Sequence, residues 1–175
     1  MKEGDYLNEI IKNTVEREGG YVNHSADKGG PTRYGITESV ARKNGYNGDM
    51  RDLPLEFAVE VYKKRYWDSI RLDEIDDNIM REFMFDAAIN HGTSWAIRFA
   101  QRAYNTLNKQ TIAEDGKIGP QTISALNRYQ YKRDLNFWYL TIRGRYFYDI
   151  IDNDSSQKTF ARGWGRRLQE LMEKI

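Results

Sequence analysis

A chain of 175 residues is long enough for one ordinary domain, or two small lobes, and buries roughly two-thirds of its unfolded surface without a staple. The absence of cysteine excludes a disulfide framework, thiol catalysis and every Cys-based metal site. With 39% hydrophobic and 30% charged residues, the chain is too apolar for disorder, and no apolar run approaches the ~20 residues of a bilayer span. Residues 1–90 carry 13 Lys+Arg against 18 Asp+Glu, whereas residues 91–175 carry 14 against 8. The basic half points toward an anionic partner, with scattered solvated charge as the bland alternative. Met1-Lys2-Glu3-Gly4-Asp5 is acidic and no apolar segment follows it. The expectation is therefore a chain made in the cytoplasm, which reaches any outer target by a route the sequence does not identify.

Helical periodicity dominates. Leu7, Ile10, Ile11, Thr14 and Val15 recur every three or four residues, predicting a helix over about 5–18 with Asp5 as N-cap and Gly19-Gly20 as stop. Tyr21 to Ile36, rich in Gly, Pro, Asn and Asp, reads as a loop or short hairpin. Thr37 is placed to cap a short helix ending near Gly45. A longer helix starts at Pro54 and runs through Ala58, Val61, Tyr62 and Arg65 to Trp67. Further helices are predicted over Asp77–Asn90 and Ser94–Leu107. The turn Glu114-Asp115-Gly116-Lys117-Ile118-Gly119-Pro120 launches the next one, and about 134–151 and 159–173 complete the set. The expected fold is mainly α, with at most a small hairpin near residues 20–36.

One residue breaks the pattern in an informative way. Glu18 lies eleven residues after Leu7, and at about 100° per residue this sets it within roughly 20° of the same face. A carboxylate thus stands where the apolar stripe would continue inward. The negative end of the helix dipole and desolvation both disfavour its ionisation. A carboxyl group kept protonated near neutral pH is suited to general-acid chemistry. The alternative is a Glu at a helix end, solvated or bonded to nearby backbone. Asp27 follows nine residues later across a loop able to fold back, with the hydroxyl residues Thr32, Tyr34 and Thr37 behind it. Two carboxyl groups across a cleft are the working pair of a glycoside hydrolase.

The blocks Glu18-Gly19-Gly20-Tyr21-Val22-Asn23 and Asp27-Lys28-Gly29-Gly30-Pro31-Thr32-Arg33-Tyr34-Gly35-Ile36-Thr37 resemble the signature of the glycoside hydrolase 108 family. These are N-acetylmuramidases found among phage endolysins and bacterial proteins, some labelled secretion activators. The resemblance continues through Tyr62 to Trp67 and through Phe85-Asp86-Ala87-Ala88-Ile89-Asn90-His91-Gly92. From Asp115 to Thr122, and at Gly163-Trp164, the chain is similar to that family's predicted peptidoglycan-binding region. The resemblance implies a lysozyme-like, two-lobed helical fold. It also implies cleavage of the β-1,4 bond between N-acetylmuramic acid and N-acetylglucosamine, with Glu18 as catalytic acid. The nine-residue spacing to Asp27 is similar to the Glu–Asp–Thr arrangement of phage-type lysozymes. The position of their Thr is held here by Arg33, with Thr32 and Tyr34 on either side as candidates to position water. Residues 1–92 are then a catalytic region and 93–175 a peptidoglycan-binding-like region, packed together.

Tyr21, Tyr34, Trp67, Asn90 and His91 are candidate substrate contacts, since aromatic faces stack on sugars and amides bond N-acetyl groups. Core packing is the bland alternative for Trp67, and a helix C-terminal cap for His91. The two histidines, His24 and His91, make no zinc motif, so neither metal nor cofactor is expected. Arg128, Lys132, Arg133, Arg143 and Arg145 alternate with aromatics, but a net charge of +1 and the lack of a nucleic-acid motif favour a wall polymer over nucleic acid. The expected partner is the peptidoglycan glycan strand, met by a monomer that does not insert into membranes. A lytic transglycosylase and a non-catalytic wall-binding or secretion-assisting protein are the alternatives.

Overall fold

The computed structural model describes residues 3–17, 19–22 and 30–175. Among these are eight α-helices and a single two-stranded antiparallel sheet, so the fold is mainly α. The chain divides into two compact units, Met1–Trp67 and Asp68–Ile175. This boundary lies upstream of the 92/93 division drawn from sequence, which concerns function and not compactness.

In the first unit, α1 (Glu3–Arg17) packs against α3 (Leu55–Tyr62). Helix α1 begins before Asp5, which therefore lies inside the first turn and does not cap it. Ile11 and Val15 are fully buried, as their spacing of four requires. The strands β1 (Thr32–Arg33) and β2 (Ile36–Thr37) form a hairpin in which Arg33 faces Ile36 and Thr32 faces Thr37. Both turn residues, Tyr34 and Gly35, have positive φ (52° and 69°), as a two-residue hairpin loop matched to strand twist demands. Tyrosine is an uncommon choice there. Thr37 caps α2 (Glu38–Lys43) by accepting the Val40 N–H at 3.4 Å.

The helix expected to run unbroken to Trp67 ends at Tyr62 and continues as a π-helical turn over Lys63–Trp67. Its wider spacing has a packing consequence. At α-helical pitch Trp67 would stand about 140° from Tyr62, whereas an i to i+5 turn returns it close to the same face. Trp67 is accordingly 1% exposed, beside Tyr62 at 5%.

In the second unit, α4 (Asn78–His91) and α5 (Thr93–Leu107) form a helical pair joined at Gly92, whose φ of 85° suits glycine. Asp77 caps α4 by accepting the Ile79 N–H at 3.1 Å. Helix α6 (Pro120–Arg128) starts at the predicted proline, and α7 (Lys132–Asn153) is longer than its pattern suggested. A 3-10 segment (Ser155–Phe160) precedes α8 (Ala161–Met172), which packs on α7. Helices α4, α5 and α7 enclose a core of Phe83, Phe99 and Tyr139. The Tyr139 ring meets Phe99 edge-on at 5.9 Å. Its hydroxyl lies 3.3 and 3.2 Å from the carbonyls of Phe83 and Ala96, and burial raises its pKa.

No described helix is long and apolar enough to cross a membrane.

Candidate active site

Glu18 and Asp27, the two carboxylates singled out in the sequence, lie outside the described residues, as does His24. What is described is the framework on either side of Glu18. Gly19, with φ of 95°, follows α1, and its carbonyl accepts the Tyr34 N–H at 3.1 Å. Three residues on, Val22 and Thr32 exchange two backbone hydrogen bonds, each 2.8 Å. The segment Gly19–Val22 is therefore laced to the β1–β2 hairpin at both ends. Local chemistry explains the arrangement: Gly19 supplies a left-handed turn that a side chain disfavours, and the chain reverses there into hydrogen-bonding distance of the hairpin.

The three hydroxyl residues have different duties. Thr32 donates to the Gly30 carbonyl at 3.1 Å. Thr37 is occupied in capping α2. Tyr34 makes no hydrogen bond through its hydroxyl to any described residue, and its ring sits beneath the Arg33 guanidinium at 5.1 Å. Tyr21 is half-buried and stacks with the Arg51 guanidinium at 5.7 Å. Arg51 escaped the sequence reading, because nothing in a 3-10 turn at Met50–Asp52 advertises a cation over an aromatic thirty residues away. The backbone bonds of Gly19–Val22 to the hairpin bring the positions of Tyr21, Thr32 and Tyr34 near one another. Trp67 is buried and presents no open face to a sugar.

Asn90 and His91 belong to the second unit, where they join a cluster of charged and aromatic groups. Arg143 of α7 is 0% exposed and contacts Asp86 Oδ2 at 2.6 Å. Its Nε donates to His91 Nε2 at 3.1 Å. Arg167 of α8 lies 3.3 Å from Asp86 Oδ1 and also donates to Asn90 Oδ1. The Asn90 amide donates to the Asp86 carbonyl at 2.7 Å. The His91 ring meets Phe99, Tyr146 and Phe147 edge-on at 4.9–5.9 Å. Burial, and next the Arg143 charge, hold His91 down to about 4, so near neutral pH it is an unprotonated acceptor.

Arg143 is a correction to the sequence reading, which grouped it with exposed cations facing a wall polymer. A signal was available: Leu135, Tyr139, Arg143 and Phe147 follow at intervals of four, so a charge interrupts a buried stripe, the pattern that singled out Glu18 in the sequence. Gln101 is similarly hidden at 1% exposed. It accepts the Gly116 N–H at 2.9 Å and donates toward Asp115 Oδ1 at 3.0 Å, tying the 115–119 turn to α5. A backbone hydrogen bond from Lys117 and the contact with Gln101 lower the Asp115 pKa. Among the described residues no group of three or more His, Asp and Glu stands ready to hold a metal ion.

Comparison with known proteins agrees with this framework. Residues 11–92 match the family model described as Glycosyl hydrolase 108, and residues 95–169 match one described as Predicted Peptidoglycan domain. The solved structure of Brucella abortus SagA superposes with a TM-score of 0.73 at 22% identity, covering 96% of this chain and 92% of that one. At this identity the likeness is one of fold. No curated protein matches the chain.

Proposed function

We propose that this chain, which carries a glycosyl hydrolase 108 domain over residues 11–92 and a peptidoglycan-domain match over 95–169, is an N-acetylmuramidase acting on peptidoglycan. The coarser part of this reading, a glycosidase directed at peptidoglycan, follows from the two family matches. The finer part assigns the bond and the residues. In our reading Glu18 protonates the glycosidic oxygen of the β-1,4 bond after N-acetylmuramic acid, and Asp27 stabilises the oxocarbenium-like transition state or activates water.

The observation that carries it is the double lacing of Gly19–Val22 to the hairpin, through Tyr34 and through Thr32. The residues directly after Glu18 are thereby held against a hairpin that offers Tyr34, whose hydroxyl makes no hydrogen bond to any described residue, and the half-buried Tyr21. General-acid catalysis needs a donor on rigid support, and the cross-linked hairpin is such a support. Thr32, Tyr21 and Tyr34 are the hydroxyl and aromatic groups we assign to water and sugar beside the hairpin. Trp67 and His91 act by holding neighbours, since one is buried and the other already accepts from Arg143. Residues 1–92 form the catalytic region and 93–175 the wall-binding region.

Digestion of purified peptidoglycan in oxygen-18 water, followed by mass spectrometry of the fragments, tests the reading. A muramidase leaves one heavy oxygen at a new reducing end on N-acetylmuramic acid. Unlabelled 1,6-anhydro ends would make the chain a lytic transglycosylase, and binding without fragments would make it a wall-binding protein only.

A further inference from the structure

A stack of three aromatic rings runs from the core of the second unit to its surface. Trp164 of α8 lies on Phe147 of α7 with centroids 4.7 Å apart and planes 18° from parallel. Phe160, just before α8, lies on Trp164 at 5.8 Å and 25°. Phe147 is 5% exposed, whereas Phe160 is 52% exposed. The inner two rings fix the outer one, which presents a large apolar surface to water.

Phe160 has helical backbone angles (φ −93°, ψ −12°), so positions 160, 163 and 167 follow the i, i+3, i+7 spacing of one helix face. The middle position is Gly163. Glycine is the poorest helix former after proline, yet apart from the adjacent residues and the helix's own backbone, no described atom lies within 4 Å of where a Cβ would stand at Gly163. Packing within the unit therefore gives no reason for a glycine there. At the far end of the same face Arg167 is held by Asp86 and Asn90, and Asn90 is exposed. The strip thus reads, in order, a fixed open ring, a bare stretch of backbone, and an immobilised guanidinium with an amide. Residues 155–172 carry four cations and one anion, and neither Arg162 nor Arg166 has an acidic partner among the described residues.

We propose that Phe160, Gly163, Arg167 and Asn90 form a glycan-binding strip that holds a peptidoglycan strand. One N-acetylhexosamine ring stacks on Phe160 and the strand lies flat across Gly163. The lactyl carboxylate or an N-acetyl carbonyl of the neighbouring sugar accepts hydrogen bonds from Arg167 and the Asn90 amide. The inference rests on the peptidoglycan reading above and adds residues and a ligand geometry to it. Charge complementarity selects the occupant: an anionic saccharide suits a basic, aromatic strip better than a second copy of the same basic helix.

The experiment measures binding of the full-length chain to peptide-free glycan strands by titration calorimetry, with thermal melting and sedimentation of each variant. Phe160→Ala is expected to raise Kd about five- to tenfold, the scale of one lost aromatic stacking contact. Gly163→Gln is expected to raise the melting temperature, because glutamine favours helix, while weakening binding by a similar factor. A purely structural role for the glycine does not predict that opposition. Wild-type binding and cleavage with unaltered Kd in both variants would overturn the strip and leave the proposed function standing. A wild type that neither binds nor cleaves would overturn both. A wild-type dimer that Phe160→Ala dissociates would reassign the face to self-association and overturn the proposal.

Discussion

His91 gives the second unit a defined response to acid. Its imidazole is held down to about 4 by burial first and by Arg143 next, with Arg167 adding to the effect and Asp86 opposing it. An unfolded histidine titrates near 6.5. Between these values the unfolded chain holds a proton that the folded chain refuses. The contribution of His91 is therefore whole above about pH 6.5 and declines as pH falls toward 4. The separation sets a ceiling of roughly 3 kcal/mol, which the ring's partial exposure reduces to about 1–2 kcal/mol. For a chain of this size that is a fall of about 3–6 °C in melting temperature. The assay is thermal unfolding of wild type and His91→Gln from pH 8 to pH 4. Glutamine can still accept from Arg143 Nε, but it does not titrate. Carboxylates shared by the two proteins contribute equally, so the difference between the curves isolates His91. The gap should change by about 1–2 kcal/mol between pH 6.5 and 4. Parallel curves across that range would refute the reasoning.

Arg143→Met should cost about 3 kcal/mol, because it leaves Asp86 with Arg167 alone and removes the donor to His91. Adding Asp86→Asn should recover part of that loss, read as a coupling energy in urea melts. Tyr34→Asn should stabilise the first unit by about 0.5–1 kcal/mol, since asparagine tolerates the positive φ that tyrosine adopts there. The same variant should slow release of fragments from purified wall. Gln101→Leu should cost about 2 kcal/mol by stranding the Gly116 N–H, and should speed proteolytic nicking around residues 108–119.

Much of the fold was legible because it is written in local chemistry. Thr37, Asp77 and Pro120 open the helices their side chains suit, and the apolar spacing of α1 includes Ile11 and Val15, both buried. The π-helical turn was not legible: Lys63–Trp67 has no residue that forbids an α-helix, and only the demand to bury Trp67 selects the wider turn. The hairpin fell within the predicted region, but its tight turn was hidden because tyrosine rarely takes a positive φ. The sequence reading places Glu18, which lies outside the described residues, on an apolar face, and the same reasoning applied to Arg143 finds a charge that the structure buries. The cluster of Asp86, His91, Arg143 and Arg167 draws on three helices, and sequence spacing carries no information about which of them meet. The Tyr21–Arg51 contact failed for the same reason.

The central claim is that Glu18 delivers the proton that breaks the glycan. The most direct test is the rate of soluble fragment release from purified peptidoglycan by Glu18→Gln, with folding checked by its melting curve. The account predicts a folded protein slowed on the order of 10²–10⁴-fold. A folded variant that solubilises the wall as fast as its parent would contradict it.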